Sequence, residues 1–297
     1  MSATSSLSPV PGEFHRRVLD WYDEHARDLP WREPSASPWA VMVSEFMLQQ
    51  TPVVRVLPVF EVWMQTWPTP SDLAAASTGD AVRAWGRLGY PRRAQRLHGA
   101  ASAIVTEHDG QVPTSHAALL ALPGVGDYTA AAIASFAFGQ RHVVLDTNVR
   151  RVLGRATGGV EFPASSVTRG EREVAREMLP AEDRIAASWA VAVMELGALV
   201  CTAGSPRCDT CPIREACRWR ADGYPPYDGP PRRGQTYAGT DRQCRGRLLD
   251  VLREAHEPVH RSRLDAAWSN DVQRDTCLDS LLGDGLVTRL SSDTFSL

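Results

Sequence analysis

Four cysteines, Cys201, Cys208, Cys211 and Cys217, stand separated by six, two and five residues, after an apolar helical run that ends Glu195-Leu-Gly-Ala-Leu-Val-Cys201. Four thiolates in one short loop can wrap a soft-metal centre. The asymmetric spacing suits a cubane 4Fe–4S cluster better than zinc, which usually takes paired Cys-x-x-Cys units. A disulfide pair is the other alternative and needs an oxidising compartment. Upstream, Leu122-Pro-Gly124-Val-Gly126-Asp-Tyr-Thr joins two helical patterns through a turn with two glycines. Such a turn leaves backbone N–H groups free to cradle a phosphate, although glycine at a helix end needs no ligand. Val143-Val-Leu-Asp146-Thr-Asn148 then sets a carboxylate between an apolar run and a helix start, where Asp146 could also serve simply as an N-cap.

The elements that must position these groups belong to a globular chain. It has 297 residues, 43% hydrophobic and 23% charged, enough for about two domains. No apolar run is long enough to cross a bilayer. Met1-Ser-Ala-Thr-Ser-Ser lacks the features of a signal peptide, so a short disordered tail over 1–12 and a cytoplasmic location are expected, with Cys244 and Cys277 as free thiols. A net charge of −3 argues weakly against a strongly electrostatic nucleic-acid binder. Arginines nevertheless gather at Arg87, Arg92, Arg93 and Arg96, at Arg150, Arg151 and Arg155, and at Arg207, Arg214, Arg218 and Arg220. Each group reads either as a solvated helix face or as a phosphate contact. All 32 basic residues are arginine, so no side-chain amine exists to form a Schiff base.

Apolar spacing predicts amphipathic helices over Glu13–His25 and Trp39–Gln50. Pro52 and Pro91 are placed to start helices, and Ser71 to cap one over Asp72–Ala76. Further helical patterns cover Ala81–Leu88, His116–Leu122, Tyr128–Phe138, Thr147–Arg155, Arg169–Leu179 and Ile185–Val200. Nothing in the first 220 residues alternates as a sheet. Proline and glycine over 224–240 predict an extended linker. Beyond it, helices at Arg242–Ala255, Arg261–Trp268 and Val272–Leu282, followed by Leu286–Leu290 and Thr294–Leu297, give the layout of a winged helix. Its balanced charge fits a packing or protein-binding module as well as a DNA reader.

In combination these features resemble the helix-hairpin-helix DNA glycosylases that share the endonuclease III fold, and within them the MutY-type adenine glycosylases. The resemblance covers roughly Arg27 to Trp219. It is carried by Arg27-Asp-Leu-Pro-Trp-Arg32, Val43-Ser-Glu45-Phe-Met-Leu-Gln-Gln-Thr51, Trp85-Gly-Arg-Leu-Gly-Tyr90, the Gly124/Gly126 turn, Asp146-Thr-Asn148, Met194-Glu-Leu-Gly-Ala and the four cysteines. It implies a mainly α fold of two lobes: 30–140 with the helix-hairpin-helix, and 13–29 with 141–223, which holds the cluster loop. Residues 241–297 then form the small winged-helix-like unit, where family members typically carry a NUDIX-like domain. The implied function is base excision repair. A monofunctional enzyme would remove adenine mispaired with 8-oxoguanine or guanine in double-stranded DNA, acting as a monomer away from membranes.

Cleaving a deoxynucleotide's glycosidic bond calls for two carboxylates in opposite protonation states. Glu45, set among Val41, Met42, Val43, Phe46, Met47 and Leu48, suits a neutral proton donor to adenine N7. Without the resemblance it would be a glutamate on the polar stripe of a helix. Asp146, at a helix N-terminus, suits an anion beside the developing sugar cation. The resemblance assigns both residues these roles, with Asn148 orienting the site and Tyr128 beside the sugar, where strand-cutting relatives carry lysine. It assigns Gln50, Leu88 and Tyr90 to the hole left by an extruded nucleotide, Thr51 to the opposing guanine, and Arg27, Leu29, Trp31 and Arg32 to the adenine pocket. Leu29, Trp31 and Leu88 could equally be core residues. Pro91 departs from the family's usual residue and puts the local backbone in question. The tail does the same for opposing-base recognition, where weaker discrimination is expected. Two other readings are a mismatch thymine glycosylase on the same scaffold and a non-catalytic iron–sulfur DNA-binding protein.

Overall fold

A computed structural model describes residues 11–230 and 237–297. In chain order they form α1 (Pro11–His25), α2 (Pro38–Leu48), α3 (Val53–Thr66), α4 (Pro70–Ala75), α5 (Thr78–Trp85), α6 (Arg92–Glu107), α7 (His116–Ala121), α8 (Asp127–Phe138), α9 (Thr147–Gly158), α10 (Arg169–Glu177), α11 (Asp183–Leu199), α12 (Arg218–Ala221), α13 (Asp241–Glu254), α14 (Arg261–Asp265) and α15 (Asp271–Gly283). Three short strands, β1 (Val259–His260), β2 (Thr288–Arg289) and β3 (Thr294–Ser296), all lie near the end. Residues 1–10 of the expected tail and 231–236 of the expected linker lie outside the described residues, and Pro11 already begins α1. Among the described residues no helix is long and apolar enough to cross a membrane.

Two compact units emerge, one of 11–41, 114–120 and 125–230, the other of 42–113, 121–124 and 237–297. In the first, α1 sets Phe14, Val18 and Trp21 on one face by their helical spacing. They pack with Trp189, Val193 and Leu196 of α11 and with Val149, Val152 and Leu153 of α9. Each such side chain, once fully buried, contributes about 1.5–3 kcal/mol. Phe14 meets Trp189 edge-on at 5.6 Å. Side-chain caps set the helix starts: Asp146 for α9, Thr168 in a reciprocal box with Glu171 for α10, and Glu182 for α11.

In the second unit, α4 and α5 pack on α6, and Trp63 lies edge-on to both Trp67 and Trp85, at 4.7 and 5.6 Å. The cap of α4 differs from the expected Ser71. Thr69 accepts from Asp72 N while Asp72 bonds back to Thr69, and Pro70 occupies the first helical position. That box starts the helix before Ser71, and a proline at this position loses no hydrogen bond.

The segment after residue 240 adopts the layout of a winged helix: three helices and an antiparallel sheet ordered β1-β3-β2. Phe295, fully buried, pairs with Val259 on one side and Arg289 on the other. With two residues, β1 is too short for alternation to announce it. The segment docks on α5 and α6, where Arg83 donates to Arg253 O and Ala255 O at 3.3 and 3.1 Å. Gln95 donates to Gly285 O at 2.7 Å. Cys244 and Cys277 are buried and free.

Candidate active site

Asp146 is the N-cap of α9, and its two oxygens face two tasks. Oδ1 accepts from Val149 N at 2.7 Å, which caps the helix, and Oδ2 accepts from Asn148 Nδ2 at 2.7 Å. Asn148 is held in turn by Arg151, whose Nη2 donates to Asn148 Oδ1 and to Gly197 O, both at 2.7 Å. Arg151 Nε reaches Cys201 O at 2.7 Å, so one relay of hydrogen bonds joins the carboxylate to the first cysteine. Burial raises the Asp146 pKa above its ordinary value, opposed by the Val149 and Asn148 hydrogen bonds and by Arg151. Helix α11 approaches so closely that a Cβ on Gly197 would lie 2.7 Å from Asn148 Cβ.

Glu45 sits on α2 in an unbroken buried stretch from Trp39 to Met47 and is 5% exposed. The polar-stripe alternative for it is excluded by that burial. Arg27 and Arg32 converge on Glu195 of α11. Arg27 donates through its backbone N, Nε and Nη2 at 3.1, 2.7 and 2.7 Å, and Arg32 through Nη2 at 2.9 Å. Burial alone would push the Glu195 carboxyl up, but these hydrogen bonds and charges outweigh it and hold the pKa at about 2. Leu29 and Trp31 are both buried, and Arg32 Nη1 is buried with no hydrogen-bond partner. Glu195 was not singled out from the sequence. A carboxylate inside the apolar run of α11 is the signal that could have found it.

Gln50 and Tyr90 are exposed and both hold a left-handed backbone, with φ of 55° and 48°. Strain of this kind costs about 1–3 kcal/mol and persists only where surrounding structure enforces it. Arg93 does so. Its Nη1 donates to Phe46 O, Met47 O and Gln49 O, and its Nη2 to Thr51 Oγ1 and Gly89 O. Thr51 is buried in that network and Leu88 is buried beside it, Thr51 Oγ1 lying 3.3 Å from Leu88 O. Burial lowers the Arg93 pKa to about 10. For Arg93, though not for the exposed Arg87 and Arg92, a staple of this kind replaces both readings, solvated face and phosphate contact.

The glycines of the 122–129 turn serve separate purposes. Gly124 has φ +77° and its Cβ would meet Arg96 Cβ at 2.5 Å, so backbone conformation and close approach both require glycine. Gly126 is the extended N-cap of α8 with nothing within 4 Å of a Cβ, which leaves the helix start open. Tyr128, half-buried on α8, packs on Ala131, Ala132, Val144 and Ala190.

All four cysteines of the loop are free and line one cleft together with Arg155 and Trp219. Burial pushes the Cys211 thiol up to about 12, opposed by a hydrogen bond from Ile213 and reinforced by the other three thiols. Among the described residues no group of three or more His, Cys, Asp or Glu is gathered as a single-ion site. Arg155 is 1% exposed and has no carboxylate partner among the described residues. Its Nη1 lies 3.4 Å from Cys201 Sγ and its guanidinium 4.5 Å from the centre of the Trp219 ring. Arg150 and Arg151 are buried as well, Arg150 paired with Glu171 at 2.8 Å. This cluster is therefore neither a solvated face nor a phosphate contact, because its guanidinia are consumed by carbonyls and carboxylates inside the first unit.

Residues 43–176 match the family described as HhH-GPD superfamily base excision DNA repair protein. A solved thermostable thymine-DNA glycosylase superposes with a TM-score of 0.63 at 24% identity, covering 71% of this chain and 97% of that one. An endonuclease III bound to DNA gives 0.61 at 20% identity, covering 72% and 98%. Residues 43–176 thus carry the segment of the helix-hairpin-helix base excision repair class, on a fold shared with those two structures. An adenine DNA glycosylase of Mycobacterium tuberculosis (strain CDC 1551 / Oshkosh) is 57% identical over 282 residues, which is 94% of this chain and 92% of that protein. With a relative this similar over nearly its whole length, the chain belongs to the adenine DNA glycosylase family.

Proposed function

We propose that the chain is a monofunctional DNA glycosylase of base excision repair that hydrolyses the N-glycosidic bond of adenine opposite 8-oxoguanine or guanine. The product is an abasic site in double-stranded DNA, and the enzyme works as a monomer in the cytoplasm. The observation that carries this reading is the contrast between its two carboxylates. Glu45 is buried on α2 at 5% exposure, and Asp146 receives hydrogen bonds from Val149 and Asn148 at a helix start. In the reaction Glu45 gives its proton to adenine N7, the electron pair of the C1′–N9 bond passes to the purine, and Asp146 stabilises the cationic sugar. Water then adds at C1′ and gives up a proton, which restores the Glu45 acid. Asn148 positions Asp146, and Tyr128 lies beside the sugar. Arg27, Leu29, Trp31 and Arg32 form the base pocket, where the unpartnered Arg32 Nη1 supplies a donor for a purine acceptor.

Tyr128 stands where a strand-cutting enzyme needs an amine, and the chain contains no lysine. Gln50, Leu88 and Tyr90 support the duplex after extrusion, Thr51 addresses the opposing base, and the open Gly126 turn with Gly124 receives a phosphate. Cys201, Cys208, Cys211 and Cys217 hold a 4Fe–4S cluster, a reading supported by their shared cleft, their spacing and the uncompensated Arg155, whose positive charge suits a thiolate-ligated cluster. When bound, that cluster fixes the loop structurally and takes no part in bond cleavage. Release of free base from paired duplexes tests the proposal. Adenine freed opposite 8-oxoguanine and guanine, with the strand intact until alkali is added, is the expected result. Thymine release, or nicking without alkali, would contradict it.

A further inference from the structure

A cleft of the second unit, about 1020 Å³, is walled by the Gln50 and Leu88–Tyr90 turns on one side and by helix α13 of the winged segment on the other. Nine arginines and a single acidic residue, Asp250, line it. Asp250 engages Arg87 and Arg253, and Asp284 engages Arg92 and Arg245. Of the remaining five, Arg93 is consumed by its own staple, and Arg55, Arg96, Arg242 and Arg247 have no carboxylate partner among the described residues. For a chain of net charge −3 this is a strong local concentration of positive charge, and the cleft is too wide to be a packing defect. Arg242 of α13 lies 5.2 Å from the Tyr90 ring centre and 5.6 Å from that of Tyr237, a stack that ties the winged segment to the turn bearing Tyr90.

We propose that this cleft seats the sugar-phosphate backbone of the strand opposite the excised base, with α13 supplying the outer wall through Arg242 and Arg247. The assignment to that strand rests on the function proposed above. Gln50, Leu88 and Tyr90 enter the hole left by the extruded nucleotide and face the base that has lost its partner, so the strand carrying that base runs past the arginines beside them. The winged segment thereby serves as one jaw of the DNA site. Guanidinia suit this task because each offers several fixed donors to phosphate oxygens, and the resulting grip depends on counterion release.

The test is fluorescence anisotropy with the full chain and a labelled duplex holding one A:8-oxoguanine pair, across a salt series. Arg242 and Arg247 are both exposed, so truncating them leaves the core intact. The Arg242→Ala/Arg247→Ala double variant is expected to raise Kd about tenfold and to flatten the log Kd against log salt slope by about one for each arginine. Arg242→Lys should keep the slope. Arg263→Ala removes the same charge from α14, outside the cleft, and should change neither quantity. An unchanged slope in the double variant, or an equal change in Arg263→Ala, overturns the proposal. Neutral methylphosphonate linkages beside the opposing base should weaken binding by the native chain but add little to the double variant. If that loss of additivity appears only for linkages on the adenine strand, the strand assignment is overturned. None of these measurements needs base release. A native chain that binds with this signature yet frees no base sinks the proposed activity and leaves the cleft standing.

Discussion

Glu195, fully buried, receives Arg27 and Arg32 together, and its depressed pKa has a consequence for stability. The folded value of about 2 lies below the ordinary 4.5, so its contribution is complete above 4.5 and is lost as pH falls from there towards 2. Replacing Glu195 by Ala leaves two guanidinia without their anion and should cost about 3–5 kcal/mol at neutral pH. Urea midpoints across pH check this: the gap between native and variant should close between pH 4.5 and 2. Asp146 behaves in the opposite sense. Its folded pKa is raised, so the ionised form is penalised by folding, and the pH at which base release fails on the acid side should lie above the ordinary carboxylate value of 3.8. A single-turnover pH profile whose acid limb falls at or below 3.8 would count against a raised pKa at Asp146.

At the scale of elements, the turn before α8 separates folding from binding. Gly124→Ala forces a side chain into the left-handed region and against Arg96, and should cost at least about 1–2 kcal/mol in denaturant unfolding. Gly126→Ala meets open space and should leave stability unchanged while weakening duplex binding about tenfold, because its methyl group stands where a phosphate would approach the backbone N–H groups. Arg93→Met removes all five hydrogen bonds that hold the Gln50 and Tyr90 turns and should destabilise by about 3 kcal/mol, read by thermal unfolding. These elements also show what was legible in advance. The helices of both units follow from apolar spacing, proline starts and caps, because local periodicity and capping chemistry decide them. Thr69 escaped notice because the sequence Thr-Pro-Ser-Asp offers two rival caps, and β1 because two residues carry no period. Glu45, Asp146 and the cysteines stood out by type and neighbourhood. Arg93 and Arg151 were legible only as members of arginine clusters and Gly197 only within a motif, since their work lies in carbonyls and close approaches contributed by distant segments of chain.

For the molecule as a whole, Asp146, Asn148, Arg151 and Cys201 are linked by successive hydrogen bonds into one frame in the first unit, and Glu45 belongs to the second. The central claim is that Asp146 and Glu45 together break the glycosidic bond. Single-turnover adenine release from a duplex with one A:8-oxoguanine pair, at saturating enzyme, tests it most directly. Asp146→Asn and Glu45→Gln should each bind the duplex as the native chain does and slow release by at least about 100- to 1,000-fold. Release at the native rate by either variant, with binding intact, contradicts the account.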